Sequence, residues 1–148
     1  MGLEIERKFL VTGDGWRTGA GVVMRQGYLS RFPGRTVRVR LAGDAAWLTI
    51  KGPTTDASRA EFEYSIPAED AAALLALCEG PLIEKTRHVV HYRGHDWDVD
   101  EFQGANAGLV VAEVELEARD EAFERPAWLG AEVTADYRYA NASLVAAP

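Results

Sequence analysis

Polar, mostly charged side chains recur at every second position in seven short stretches of this chain. The stretches occupy residues 4–8, 38–40, 49–51, 61–63, 85–87, 98–100 and 113–117. In an extended strand, successive side chains point to opposite faces, so each stretch turns its charges to one face and mostly apolar residues to the other. The pattern therefore predicts β-strands whose two faces differ in polarity.

Turn residues separate these stretches and limit the predicted elements. We expect strands at 2–11, 23–30, 36–41, 46–51, 58–66, 83–92, 95–102 and 109–118. The strands 36–41 and 46–51, with a turn at Gly43-Asp44, form the clearest predicted hairpin, and 83–92 with 95–102 form a second. A helix begins after Pro67, covers 71–78 and ends at Gly80-Pro81, and a second short helix is expected at 126–129. Many short strands with few helices indicate a sandwich or a barrel.

Like charges stand two residues apart on six of the predicted strands. The pairs are Glu4 and Glu6, Arg38 and Arg40, Glu61 and Glu63, Lys85 and Arg87, Asp98 and Asp100, and Glu113 and Glu115. Same-face neighbours about 7 Å apart repel by roughly 2 kcal/mol at an effective dielectric near 20, so a compensating partner is needed. A closed barrel would supply it, because its inner face brings acidic strands opposite basic ones. A polyphosphate with a divalent cation would satisfy both charge sets.

Length and composition limit the function. The 148 residues suit one domain, 1–148, and the net charge of −7 argues against nucleic acid or an anionic membrane as partner. Cys78 is the one cysteine, so no disulfide framework is available. The chain has no apolar run of about 18 residues and no signal segment, and we expect a cytoplasmic protein.

The Glu-x-Glu-x-Lys pattern of residues 4–8 resembles the N-terminal signature of the CYTH superfamily, the triphosphate tunnel metalloenzymes. The resemblance continues through further segments in order. These are 26–29, 37–40, 49–52, 61–64, 84–87, 97–100, 112–117 and 136–139. Glu-x-Glu-x-Lys alone is a weak signal, whereas the ordered set is specific.

The resemblance implies an α+β, mainly β fold: an eight-stranded antiparallel β-barrel tunnel with a few short helices outside it. It also implies a small triphosphate as substrate and a divalent metal, Mg²⁺ or Mn²⁺. The implied metal ligands are Glu4, Glu6, Glu113 and Glu115, with Glu61, Glu63 and Asp98 for a second ion. The implied substrate-binding residues are Lys8, Arg38, Arg40, Lys51, Lys85 and Arg87, with Arg59 and Arg138 at the rim. Lys8, Glu6 and Lys85 are the implied catalytic residues.

Other interpretations of the sequence stay open. The carboxylates could form structural ion pairs with the cations, and a solvated strand face would explain either Arg38 or Arg40 alone. The family includes inorganic triphosphatases, which we favour here, and adenylate cyclases. A noncatalytic polyphosphate-binding module is a third alternative. The sequence leaves the oligomeric state open, a homodimer included, and assigns no role to Glu101 or Glu117.

Overall fold

The computed structural model describes residues 2–17, 19–55 and 57–139. Within them lie nine strands and one α-helix, together with two short 3₁₀ segments at Gly104–Asn106 and Tyr137–Tyr139. The strands and helix are β1 Gly2–Val11, β2 Val22–Ser30, β3 Thr36–Ala42, β4 Ala45–Lys51, β5 Ser58–Ser65, α1 Ala68–Leu75, β6 Glu79–Tyr92, β7 His95–Phe102, β8 Val110–Glu115 and β9 Leu129–Glu132.

Eight of the strands close into an antiparallel barrel. Their order is β5-β4-β3-β2-β6-β7-β8-β1, and β1 closes the circle by also pairing with β5. The first half of β1 runs beside β5, with Gly2 opposite Glu61, and the second half runs beside β8, with Glu6 opposite Glu115. The predicted eight-stranded antiparallel barrel is confirmed. The ninth strand, β9, lies outside this circle against the end of β1.

Two tight hairpin turns have residues with the positive φ angles that their turn types require. Gly43 opens the β3–β4 turn with φ of 61°, which suits a type II′ turn. The β6–β7 turn has Arg93 at φ 46° and Gly94 at φ 88°, the left-handed pair that a type I′ turn needs. Both turns match the twist of their strands and fix the register that follows.

Two helix predictions need correction. The helix ends at Leu75, and Gly80 and Pro81 already belong to β6 instead of ending a helix. They lie where the register between β2 and β6 shifts, at a bulge where proline's missing N–H breaks no ladder bond. The expected helix at 126–129 is a turn, closed by a hydrogen bond from the Leu129 N–H to the Pro126 carbonyl, and it leads directly into β9.

Apolar side chains pack on both faces of the barrel wall. Outside, Phe9 and Trp97 are fully buried beneath Trp16 and Trp128, which come from loop segments and not from a helix. The helix α1 covers a second outer area around Val39. Inside, Tyr28, Ile83, Phe102 and Val111 form a buried cluster on the same face of their strands as the charged residues. The remaining interior is therefore available for charged groups.

Among the described residues, no helix is long and apolar enough to cross a membrane.

Candidate active site

A cavity of about 240 Å³ occupies the charged part of the barrel interior. Its lining contains seven carboxylates, Glu4, Glu6, Glu61, Glu63, Asp98, Glu113 and Glu115. It also contains six cations, Lys8, Arg38, Arg40, Lys51, Arg59 and Arg87, together with Tyr28 and Thr36. The structure thus brings together all seven predicted metal ligands and six of the eight predicted substrate-binding residues. Such a surface suits an anion accompanied by a cation.

The pairing of β1 with β8 creates one ionic group on the cavity wall. Lys8 lies directly across from Glu113, and its Nζ is 3.4 Å from Glu113 Oε1. Lys8 Nζ also donates a hydrogen bond of 3.1 Å to the Tyr139 carbonyl. Burial raises the pKa of Glu113, but Lys8 and two further cations outweigh it and hold this pKa well below its usual range. Glu113 is therefore an ionised carboxylate inside the barrel.

Glu4 is held by two cations where β1 meets β5. Lys51 Nζ lies 2.9 and 2.7 Å from the two carboxylate oxygens of Glu4, and Arg59 Nε donates to Oε1 at 3.0 Å. Burial raises the pKa of Glu4, and the two cations more than reverse this effect. Lys51 also lies 3.6 Å from Glu61, so one ammonium group serves two carboxylates.

Glu6 stands between these two groups. Burial, followed by the negative charges of Glu113 and Glu4, raises the pKa of Glu6 to about 8. A cavity that crowds carboxylates in this way has oxygen donors suited to Mg²⁺ or Mn²⁺, whose charge would relieve their repulsion. Within the described part of the chain, no three acidic, histidine or cysteine side chains already converge as a metal-ligating cluster. The donor chemistry fits a divalent cation, and Glu4 and Glu113 would have to leave their present cation partners to bind it.

Two guanidinium groups extend from β3 into the cavity. Arg38 Nη2 lies 3.4 Å from Thr49 Oγ1 and 3.9 Å from Glu63. Arg40 Nε donates to Gln26 Oε1 at 2.9 Å. Burial, together with the charges of neighbouring guanidinium groups, lowers the pKa of Arg40 to about 9. The alternation of β3 places both arginines on the inner face, as expected from the sequence.

Lys85 and Arg138 do not line the cavity. Lys85 is completely buried next to the cavity wall, with its Nζ 2.7 Å from Asp100 Oδ2. Arg87 binds the same carboxylate through Nε at 2.8 Å and Nη2 at 2.9 Å, so two cations share Asp100. Burial raises the pKa of Asp100, and these two cations reverse the effect and keep it ionised. Arg138 is exposed and pairs with Asp136 at 2.6 Å.

Sequence reasoning missed two residues that line the cavity. Tyr28 is buried and comes from β2, a strand without the alternating charges that mark the others. Thr36 lies two positions before Arg38, so the same alternation could have identified it. Thr49 lies on the inner face of β4 beside the cavity, where its hydroxyl donates to Glu63 at 3.1 Å. Uncharged polar residues thus join the site without a strong sequence signal.

The fold and the site define the class of protein. It is a closed β-barrel whose interior cavity suits an anion bound together with cations. The chain belongs to the CYTH domain family, whose model matches residues 2–147. An inorganic triphosphatase of Acetivibrio thermocellus is 49% identical, with 100% of this chain and 96% of that protein covered. An inorganic triphosphatase of Nitrosomonas europaea is 37% identical, with 95% of each chain covered.

A solved structure agrees with these relatives. The crystal structure of an inorganic triphosphatase that is 36% identical superimposes with a TM-score of 0.68, covering 96% of this chain and 97% of that one. Triphosphatases of the CYTH family are in general metal-dependent enzymes. The suspected family membership is thereby confirmed.

Proposed function

We propose that this protein is an inorganic triphosphatase that hydrolyses a terminal phosphoanhydride bond of inorganic triphosphate. The observation that carries the proposal is the cavity inside the barrel, in which thirteen of the fifteen lining residues carry a carboxyl, ammonium or guanidinium group. A short, highly charged polyphosphate matches that lining better than any apolar compound would. The full-length similarity to two inorganic triphosphatases supports the same substrate.

Phosphoryl transfer requires positioning and charge neutralisation more than covalent chemistry from the protein. The six lining cations would hold phosphate oxygens, and Lys8 would do so beside Glu113. A divalent cation, Mg²⁺ or Mn²⁺, would be held by Glu4, Glu6, Glu113 and Glu115, with Glu61, Glu63 and Asp98 for a second ion. When bound, it would neutralise charge on phosphate oxygens. Lys85 would act through Asp100, which orients Arg87.

A phosphate-release panel tests this function. Inorganic triphosphate, thiamine triphosphate, ATP and a longer polyphosphate are compared with Mg²⁺ and with Mn²⁺. We expect inorganic triphosphate to be hydrolysed fastest, to phosphate and pyrophosphate. Glu113→Gln should abolish this activity, whereas Glu132→Gln, the same change at the outer surface beside Arg7, should retain it. Such a difference excludes a contaminating phosphatase.

The same panel decides between the alternatives. A cyclase would need a surface for adenine, and Tyr28 is the one aromatic residue among the described residues that line the cavity. Formation of cyclic AMP from ATP would overturn our proposal in favour of a cyclase. Tight binding of triphosphate without turnover under either cation would indicate a noncatalytic binder. A cytoplasmic location and a homodimer stay predictions.

A further inference from the structure

Gln26 is the hydrogen-bond partner of Arg40. The two residues lie directly opposite each other on β2 and β3, and Arg40 Nε donates to Gln26 Oε1 at 2.9 Å. Gln26 is completely buried and does not itself line the cavity. A guanidinium group can only donate, so the amide oxygen must face Arg40 and the amide nitrogen must point away. The contact therefore fixes how Gln26 is oriented.

Arg40 differs from the other cations of the cavity in having a neutral partner. Each of the other five lies within ion-pair distance of a carboxylate. These pairs are Lys8 with Glu113, Arg38 with Glu63, Lys51 with Glu4, Arg59 with Glu4, and Arg87 with Asp98 and Asp100. Among the described residues, the side chain of Arg40 forms no ion pair, and its one hydrogen bond is to Gln26. Its charge is the least compensated in the cavity.

The amide of Gln26 is only partly satisfied. Its Nε2 is buried and has no hydrogen-bond partner in the described part of the chain. An apolar side chain of similar size would remove this unpaired donor, but it would leave Arg40 Nε without a hydrogen-bond partner. A glutamate would orient Arg40 equally well, but it would also neutralise its charge. A glutamine holds the guanidinium group in place and leaves its charge for a ligand.

We infer that Gln26 is a positioning residue, which holds Arg40 by Nε so that an uncompensated guanidinium group is presented to the phosphates of the substrate. This inference rests on the proposed triphosphatase function. Interactions of this kind orient the groups that touch a ligand without touching it themselves. The affinity for triphosphate would then depend on the neutrality of residue 26 as well as on its shape.

The first test changes the charge of Gln26 and keeps its shape. Gln26→Glu is compared with wild type and with Gln103→Glu, which makes the same change directly after β7, outside the cavity. Inorganic triphosphate is titrated calorimetrically into each protein in the presence of EDTA. We expect Gln26→Glu to weaken binding about tenfold to hundredfold, as one charge roughly 7 Å from the ligand would at an effective dielectric near 20. Gln103→Glu should bind like wild type.

The second test removes the hydrogen bond. Gln26→Met should lower kcat/KM for triphosphate in the wild-type background. In an Arg40→Met background the same change should lower kcat/KM no further, because residues that act through one contact give non-additive effects. Additive losses, or triphosphate binding by Gln26→Glu as tight as wild type, would overturn the inference. Wild type that binds triphosphate without hydrolysing it would instead overturn the proposed function, and the titrations would still decide the role of Gln26.

Discussion

The raised pKa of Glu6 predicts that binding of a divalent cation releases a proton. Glu6 lies between Glu113 and Glu4 in the cavity, and burial with these two charges raises its pKa to about 8. At that value about 0.9 of the Glu6 carboxyls carry a proton at pH 7, about 0.5 at pH 8 and about 0.1 at pH 9. A carboxyl must lose its proton to become a metal ligand, so these fractions are the protons expected per bound cation.

Calorimetry measures these protons directly. Mn²⁺ is titrated into the protein in buffers of different ionisation enthalpy at pH 7, 8 and 9, and the dependence of the heat on the buffer gives the protons released. Glu6→Gln should lose the release, whereas Glu132→Gln at the outer surface should keep it. Release below about 0.2 proton at pH 7, or equal release by Glu6→Gln, would refute the reasoning.

The same carboxyl makes a prediction about stability without metal. Its pKa in the folded protein is raised above the ordinary value of 4.5. Such a group stabilises the fold fully below pH 4.5, and this contribution is lost as the pH rises towards 8. The melting temperature of the wild type should therefore fall more steeply than that of Glu6→Gln between pH 5 and 8 in EDTA. Parallel curves would contradict the assignment.

Three further substitutions test the site and its support. Lys8→Ala should lower kcat/KM for triphosphate by at least about 100-fold with the fold intact by circular dichroism, because it removes a cavity charge that we propose binds the transferred phosphate; a loss below tenfold would contradict this role. Asp100→Asn removes the carboxylate that pairs with buried Lys85, leaves Arg87 with Asp98 alone, and should cost about 3–5 kcal/mol in urea unfolding; a loss under 1 kcal/mol would argue against the shared ion pair. Gly27→Ala places a Cβ 2.7 Å from Leu82 Cδ2 and should cost about 1–3 kcal/mol, more than Gly52→Ala, where the nearest atom is 3.7 Å away; equal losses would contradict the tight packing.

Alternation along the strands made the fold and the lining of the cavity predictable. Period two assigns a side chain to the inner face, and this is enough to bring Glu6 and Glu113 together once the barrel closes. It does not give the depth of a residue along the barrel. Lys85 and Arg87 share a face, yet only Arg87 lines the cavity, because two residues along a strand span about 7 Å.

Features that depend on other parts of the chain escaped sequence reasoning. The strand β9 has four residues and includes a glycine, so its own sequence carries little strand signal. It forms because the end of β1 offers an unpaired edge, along which Phe9 lies opposite Glu132. The bulge that admits Pro81 into β6 likewise depends on its pairing with β2. Local propensity cannot show either contact.

The closure of the barrel through β1 also has a consequence for how the protein is made. The strand β1 is synthesised before the other strands of the barrel, but one of its partners is β8, and Glu6 meets Glu115 only after β8 has been made. Non-local pairings of this kind form late, because the intervening chain must first be ordered. A nascent chain would carry the second half of β1 unpaired until β8 has been made, and the cavity would be completed in one late step when β1 and β8 join.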